Sequence, residues 1–183
     1  MELARSHRSS PKIAGGMTLI ELLVAMTIVS ILLVLAVPGW GNFIAERELE
    51  DRANALLHAL DRARSEAIKR GGRVHVCPQT GSPCPASPAP WESGWVIVPA
   101  TPAGDSLEVP IAAEGRSPTG VTIRGNRPVA DYVSFTSLGY ARRIDGALQM
   151  GTFTVCRAGF RVRRVVLANS GRARLEQTSD QCP

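Results

Sequence analysis

The sequence has few of the residues from which active sites are usually built. It contains only three histidines, His7, His58 and His75, and none of them lies in a recognisable nucleophile, general-base or metal-ligand motif. The phosphate-binding motif G-x-x-x-x-G-K-[S/T] is also missing. These absences argue against an enzyme and against a bound cofactor or metal.

Charge is almost absent between Met17 and Val37. This apolar run of 21 residues contains one charged residue, Glu21. A helix of about 20 residues spans a hydrocarbon core roughly 30 Å thick. A carboxylate in such a span costs on the order of 2.5 to 3.5 kcal/mol at mid-helix, so Glu21 is expected to have a use. We therefore predict a transmembrane helix over residues 17–37.

The segment before this run is basic, with Arg5, Arg8 and Lys12 against Glu2. Basic flanks favour the cytoplasmic side, so we expect a single pass through the inner membrane with the rest of the chain in the periplasm. A cleavable secretory signal is not favoured, because its apolar region has about 7 to 15 residues and no small-x-small site follows here. An ordinary signal anchor that contains a glutamate is the alternative.

The four cysteines include no C-x-x-C pair, which argues against zinc. All of them follow the apolar run and would lie outside the cytoplasm, where disulfides persist. Four cysteines allow three pairings. We prefer Cys77 with Cys84, which closes a short proline-rich loop, and Cys156 with Cys182, which ties the tail to a late strand.

Apolar residues recur at every third or fourth position between Ile44 and Arg70, with charged residues between them. The pattern predicts an amphipathic helical stem over residues 38–70 that continues the transmembrane helix and ends at Gly71 and Gly72. Its apolar members are Leu49, Ala53, Leu56, Leu57, Leu60, Ala63 and Ala67.

Proline and glycine make up 30 of the 183 residues and are concentrated after residue 71. The β-prone runs between them predict eight short strands, over residues 73–77, 95–99, 106–109, 121–124, 132–136, 152–156, 163–168 and 172–176. After a leader of 16 residues and a membrane span of 21, about 146 residues remain, enough for one domain with one core. The predicted class is α+β, with the long N-terminal helix packed on an antiparallel β domain over residues 71–183.

The N-terminus resembles that of type IV prepilins and of the pseudopilins of type II secretion. The resemblance lies in the basic leader, Gly15-Gly16 and the following M-T-L-I-E-L-L with its apolar tail. It implies that a prepilin peptidase removes residues 1–16 by cutting between Gly16 and Met17, and that Met17 is N-methylated. It also implies that Glu21 serves assembly, because its carboxylate can pair with the freed α-amino group of a neighbouring subunit in an apolar filament core.

Later motifs resemble the GspH/FimT family of minor pilins and pseudopilins over nearly the whole chain. They are A-R-S-E-A-I-K-R at residues 63–70, V-x-V-C, G-W-V, V-S-F-x-x-x-G, T-F-x-V-C and G-R-x-R. The resemblance implies a type IV pilin-like fold and assembly with other major and minor pilins. The protein would lie in the inner membrane first and in a cell-surface pilus later.

Arginine dominates the C-terminal part of the chain. From Tyr140 onward, eight arginines stand against three acidic residues. Asn169-Ser170-Gly171 is expected to form a turn that brings Arg172 and Arg174 back alongside the preceding strand. Alternate strand residues share a face, so these two side chains would project together about 6.5 to 7 Å apart, close to the phosphate spacing of a nucleic-acid strand. The alternative is a solvated sheet edge protected by charge.

The sequence Gly171-Arg172-Ala173-Arg174 matches the G-R-x-R motif of FimT-type minor pilins, which bind DNA during natural transformation. The resemblance implies that Arg172 and Arg174 contact the phosphates of extracellular double-stranded DNA without reading its bases. The predicted extensions of this surface are Arg142, Arg143, Arg161, Arg163 and Arg164. The alternatives are a structural minor pilin that primes pilus assembly and a GspH pseudopilin that serves protein secretion.

Overall fold

The computed structural model describes residues 17–79, 84, 90–100 and 109–182, and of residues 35–39 the backbone alone. Within these residues, one α-helix, α1 (Leu19–Arg70), precedes eight strands. They are β1 (Val74–Pro78), β2 (Trp95–Pro99), β3 (Ala112–Glu114), β4 (Val121–Gly125), β5 (Val133–Phe135), β6 (Gly151–Arg157), β7 (Arg161–Leu167) and β8 (Ala173–Gln181). The chain divides into two compact units, Met1–Asn42 and Phe43–Pro183.

In the first unit, α1 begins directly after Thr18. The Thr18 hydroxyl oxygen accepts a hydrogen bond from the backbone N–H of Glu21 at 3.3 Å, which satisfies one of the free N–H groups of the first turn. The Glu21 carboxylate thus lies in the first turn, where the helix dipole favours negative charge. The leader 1–16, including Gly16 of the predicted cleavage site, lies outside the described residues.

Apolar side chains cover this part of the helix on every side. From Leu19 to Val34, every large hydrophobic side chain is exposed. The hydroxyls of Thr27 and Ser30 donate to backbone oxygens of the preceding turn, Val24 and Met26, each at 2.7 Å. No helix within the described part of the chain reaches the length and apolar character that a membrane crossing requires. The transmembrane helix over residues 17–37 stays a prediction.

In the second unit, residues 43–70 of α1, called the stem below, bury one apolar stripe. Six of the seven predicted stripe positions are buried, and Leu57 is half-buried at the edge of the core. The stripe is Ala45, Leu49, Ala53, Leu56, Leu60, Ala63 and Ala67. Burial of each leucine contributes about 2 kcal/mol relative to its exposure. Apart from Ala45, the stripe belongs to the same hydrophobic core as the buried strand residues.

The stem ends where two glycines were expected to end it. Gly71 has φ +63°, a left-handed conformation that a residue without Cβ adopts without strain. Its N–H donates to the Ile68 oxygen at 3.2 Å, and the Gly72 N–H donates to the Ala67 oxygen at 3.2 Å. These two bonds satisfy carbonyls of the last helical turn, as in a Schellman cap.

The strands form two antiparallel four-stranded sheets. Sheet 1 has the order β3-β2-β1-β5, and sheet 2 has the order β4-β6-β7-β8. Large side chains from both sheets share one core with the stem and with Trp91, which lies in a short 3-10 helix before β2. The largest of these side chains are Trp91, Trp95, Phe135 and Phe153. The Trp91 ring packs edge-on against Phe153 with centroids 4.9 Å apart, and its indole N–H donates to the Ala130 oxygen at 2.7 Å. The predicted α+β fold, a long N-terminal helix with antiparallel sheets packed on the stem, is confirmed.

The observed strands differ from the predicted ones at several positions. Strand β3 was not predicted, because Ala112–Glu114 has no β-branched or aromatic residue and is held by pairing with β2. Of the predicted strand 106–109, residues 106–108 lie outside the described residues, and Val109 belongs to no strand. Strand β8 continues to Gln181 rather than ending at Glu176, because pairing with β7 extends through a polar stretch without hydrophobic alternation.

Two disulfides are present. Cys77 pairs with Cys84 and Cys156 with Cys182, with Cα atoms 5.9 and 5.6 Å apart, which are the two pairs preferred from the sequence. The second bond joins β6 to the residue after β8, and the Cys182 N–H donates to the Phe160 oxygen at 2.9 Å. The end of the outermost strand is therefore held to the hairpin of β6 and β7.

Candidate nucleic-acid interface

The predicted turn between β7 and β8 is present. Leu167 ends β7 and Ala173 begins β8 directly opposite it. Within the turn, the Ala168 N–H donates to the Arg172 oxygen and the Gly171 N–H donates to the Ala168 oxygen, each at 2.9 Å. Gly171 has φ +80°. The hairpin thus carries Arg172 at its end and Arg174 two residues later.

A second turn, Thr136–Tyr140, packs against this hairpin, and this contact is called the clamp below. A Cβ added to Gly171 would collide with the carbonyl oxygen of Gly139, so the two backbones touch at two glycines. The same Gly139 oxygen accepts a hydrogen bond from Arg64 Nε of the stem at 3.1 Å. Sequence reasoning used V-S-F-x-x-x-G and A-R-S-E-A-I-K-R only as family motifs and missed that Gly139 and Arg64 position the arginine turn.

Arg172 and Arg174 point outward together. Both are exposed, while Ala173 between them is buried, as the alternation of a strand predicts. Arg174 lies opposite Val166 of β7, and Arg164 lies opposite Glu176, on the same outer face of sheet 2. The structure therefore brings together Arg164, Arg172 and Arg174 of the predicted basic surface.

Acidic neighbours accompany two of these three arginines. Arg174 Nε lies 2.7 Å from Glu176 Oε1, and Arg164 Nη2 lies 2.8 Å from Asp180 Oδ2. Arg172 has no carboxylate within ion-pair distance among the described residues. Exposed ion pairs contribute only about 0 to 1 kcal/mol, so a phosphate could replace either carboxylate at small cost.

Arg163 does not belong to this surface, and that part of the prediction was wrong. Its side chain is only 5% exposed, and its Nη2 lies 3.2 Å from Glu46 Oε1 on the stem. Arg163 lies in the same alternating row as Val165 and Leu167, which face the core. The same period-two pattern in the sequence could have assigned it to the buried face. The pair holds β7 to the stem, and Arg157 at the end of β6 pairs with Glu48 of the stem at 2.5 Å.

The remaining predicted arginines are spread over other places. Arg161 is exposed at the start of β7. Arg142 and Arg143 are half-buried beyond the Thr136–Tyr140 turn, and both of their carbonyl oxygens accept hydrogen bonds from Arg73 Nη1 at 3.1 Å. Arg143 also lies 3.5 Å from Asp145. These residues do not join the row on the outer face of sheet 2.

Of the three histidines, His58 and His75 lie in the described part of the chain, and His7 lies outside it. His58 is exposed on the stem. His75 is buried in β1, with its ring edge-on to Tyr132 at 6.2 Å between centroids. Burial, and to a smaller extent the nearby Arg73 charge, lower the pKa of His75 from its ordinary value of 6.5 to about 4. Its Nδ1 has no hydrogen-bond partner within the described residues, so the neutral ring is held by packing.

Two family patterns match the sequence. The family described as Type II transport protein GspH matches residues 52–171, and the prokaryotic N-terminal methylation motif matches residues 12–37. The first match covers more than half of the chain. It ends at Gly171, so Arg172 and Arg174 lie beyond it. No curated protein is significantly similar in sequence to this chain.

Solved structures share the fold. The type IV minor pilin FimU of Pseudomonas aeruginosa is similar in two crystal forms. The first has a TM-score of 0.57 and 21% identity, covering 75% of this chain and 98% of FimU. The second has a TM-score of 0.53 and 19% identity, covering 72% of this chain and 98% of FimU. The minor pseudopilin EpsH from the Type 2 Secretion System of Vibrio cholerae is also similar. It has a TM-score of 0.51 and 14% identity, covering 73% of this chain and 99% of EpsH.

The clamp at Gly171 predicts a difference between two glycine substitutions. Gly171→Ala and Gly146→Ala both place a Cβ at positive φ, +80° and +87°, but only the first collides with another part of the chain. We expect Gly146→Ala to lower the free energy of unfolding by about 1 kcal/mol. Gly171→Ala should lower it by about 2 kcal/mol more than Gly146→Ala does. Chemical denaturation of the mature chain in neutral detergent measures both. Equal losses would contradict the clamp.

Buried His75 predicts a loss of stability in acid. Its folded pKa of about 4 lies below the ordinary value of 6.5, so the unfolded chain binds more protons between these values. The free energy of unfolding should fall as the pH drops from about 6.5 to about 4, by at most about 3 kcal/mol.

His75→Phe removes this titration and should flatten the stability curve over that pH window. His58→Gln, which replaces the exposed histidine, should leave the wild-type curve unchanged. Denaturant midpoints at a series of pH values test this, and an unaltered slope in His75→Phe would show that another group causes the loss.

Proposed function

The chain belongs to the GspH family and is a minor pilin or pseudopilin, and from this premise we propose that it is a type IV minor pilin that binds extracellular double-stranded DNA for uptake in natural transformation. The observation that carries the proposal is the G-R-A-R turn, which is clamped by Gly139 and presents Arg172 and Arg174 on one exposed face. The family is not a known class of enzymes.

The first step is processing at the membrane. Prepilin peptidase would cut between Gly16 and Met17, and the new terminus of Met17 would be N-methylated. The match to the N-terminal methylation motif over residues 12–37 supports this step. A helix that is apolar on all sides, with its hydroxyls bonded to its own backbone, suits burial in lipid or in a filament core. We propose that residues 17–37 occupy the inner membrane first and the pilus afterwards.

Glu21 would then direct assembly with other major and minor pilins. Removal of the leader frees the α-amino group of Met17. A carboxylate and an ammonium that are each costly in an apolar core neutralise one another when they pair. The Glu21 carboxylate of one subunit would therefore select the α-amino group of its neighbour, and the first-turn position of Glu21 keeps it near the end of the helix.

DNA binding would rest on a small number of phosphate contacts. Arg172 has no described acidic partner, and Arg174 would exchange Glu176 for a phosphate oxygen. Guanidinium groups bind phosphate through paired planar hydrogen bonds. With two contacts, the logarithm of the binding constant should fall with the logarithm of salt concentration with a slope of about −2. Each subunit would bind weakly and without sequence preference.

A structural minor pilin is the second candidate, because other arginines hold this fold together. Arg163 and Arg157 pair with Glu46 and Glu48 of the stem, and Arg52 of the stem pairs with Glu114 at 3.0 Å. Such a subunit would prime pilus assembly, or act as a pseudopilin in secretion, without touching DNA. The likeness to FimU and EpsH agrees with both candidates.

A DNA titration separates these functions. The mature chain in neutral detergent should shift duplex DNA at roughly 50 mM salt with a slope of about −2. The Arg172→Ala/Arg174→Ala variant should bind at least about tenfold more weakly and lose most of the slope. Glu176→Gln should tighten binding a few-fold, because it frees Arg174.

Matched variants control for net charge in this titration. Arg116→Ala/Arg127→Ala removes two exposed arginines elsewhere, and Asp131→Asn removes an exposed acid away from the turn. Both should leave binding near the wild-type level. An absence of wild-type binding, or an equal loss in the two arginine pairs, would favour the structural candidate.

Assembly is tested by Glu21→Gln. We expect this variant to insert and to be cleaved, with N-methyl-Met17 found by mass spectrometry, but to be missing from sheared filaments. Thr18→Ala is the control, because it removes the helix cap at a cost of about 1 kcal/mol but keeps the carboxylate. A wild-type amount of Glu21→Gln in the filaments would disprove the role of Glu21.

A further inference from the structure

An exposed leucine lies beside the arginine turn. The Thr136–Tyr140 turn and the β7–β8 turn run antiparallel, as the Ala141 N–H bond to the Asn169 oxygen at 3.1 Å and the Gly139–Gly171 contact show. Leu138 precedes Gly139 and Arg172 follows Gly171, so the antiparallel arrangement places these two residues on the same side of the second contact. Both side chains are therefore presented at one end of the paired turns.

Leu138 is both exposed and firmly supported. Its side chain is 75% exposed, the most of any large hydrophobic side chain described between residues 110 and 182. The next residue, Gly139, has φ +77°, and a Cβ there would lie 2.8 Å from Ile68 Cδ1 and 3.2 Å from Arg64 Nε. The backbone that carries Leu138 is thus pressed against the stem and hydrogen-bonded to it. Leu138 is therefore an exposed apolar side chain on a turn that the stem supports.

We propose that Leu138 is a wedge that enters the minor groove of duplex DNA and partly unstacks one base step, while Arg172 binds the adjacent phosphate. This inference rests on the proposed DNA binding and adds the mode of contact. Minor-groove proteins insert leucine and similar side chains between base pairs in this way, and the unstacking is offset by a bend that brings more of the backbone to basic residues. Arg174 and Arg164 follow on the outer face of sheet 2, where a bent duplex would meet them.

Charge complementarity favours DNA over a protein as the occupant. Arg172 lies beside Leu138 on the neighbouring turn. Arg172 has no acidic partner in the described part of the chain. In duplex DNA, phosphates line both edges of the minor groove, and the stacked bases between them are apolar. An apolar side chain with an unpaired guanidinium beside it therefore matches this arrangement. The alternative, that a second pilin binds this surface, is one of the outcomes that the experiment below distinguishes.

The experiment uses the mature chain in neutral detergent with a duplex that contains 2-aminopurine at a TA step. The fluorescence of 2-aminopurine rises when its base is unstacked. Wild type should raise the fluorescence on binding. Leu138→Ala should remove this rise and weaken binding by about tenfold, with the salt slope unchanged, because it removes apolar contact and no charge.

Two variants complete the test. Arg172→Ala should reduce the salt slope by about 0.9, because it removes one phosphate contact. Val109→Ala truncates another exposed apolar side chain, 84% exposed and close to β3 of sheet 1, and should behave as wild type. Wild-type affinity and fluorescence in Leu138→Ala would overturn the wedge while DNA binding stands. A failure of wild type to bind would overturn both, and loss of subunit association in Leu138→Ala without any effect on DNA would assign the surface to a pilin.

Discussion

The second unit depends on the burial of one apolar stripe of the stem against two sheets. Leucines at positions 49, 56 and 60 supply most of the apolar bulk of this stripe, and alanines occupy its other positions. Among the described residues, no strand of sheet 1 is a hydrogen-bonded neighbour of a strand of sheet 2. The two sheets are joined by the hydrophobic core that they share with the stem. Every exposed site described above takes its position from this packing.

Ion pairs and glycine contacts orient the sheets on that core. Glu46 and Glu48 of the stem bind arginines of β7 and β6, while Arg52 binds Glu114 at the edge of sheet 1. At the other end of the stem, Arg64 binds the carbonyl of Gly139, which touches Gly171. The arginine turn is consequently part of a rigid support that reaches the helix, although the turn itself lies at the surface.

Arginine serves two purposes in this protein, and the fold separates them. Arg163 and Arg164 are neighbours in sequence, but the first points to the core and the stem, and the second points to solvent. A charge balance taken over the C-terminal segment cannot distinguish them, because acids at positions 46 and 48 neutralise arginines more than 100 positions away. The positive surface is therefore smaller than the arginine content indicates, and it is centred on Arg172.

Local patterns of sequence were sufficient for several features. The spacing of leucine and alanine in the stem, the glycine stop at residues 71 and 72, and the turn before Arg172 all depend on residues close together in the chain. Strand β3 and the second half of β8 could not be predicted in this way, because their residues have weak β propensity and are strands only through pairing.

The sequence by itself determined the prepilin-like N-terminus, the amphipathic stem and the hairpin that carries Arg172 and Arg174, since periodicity and turn chemistry act over a few residues. The tertiary structure alone decided which arginines are free, which carboxylates neutralise the others, and that two glycines from separate turns meet beneath the arginine turn. The physical reason is that ion pairing, burial and close backbone contact depend on distances between residues far apart in the chain, and only the packing of the stem on the sheets sets those distances.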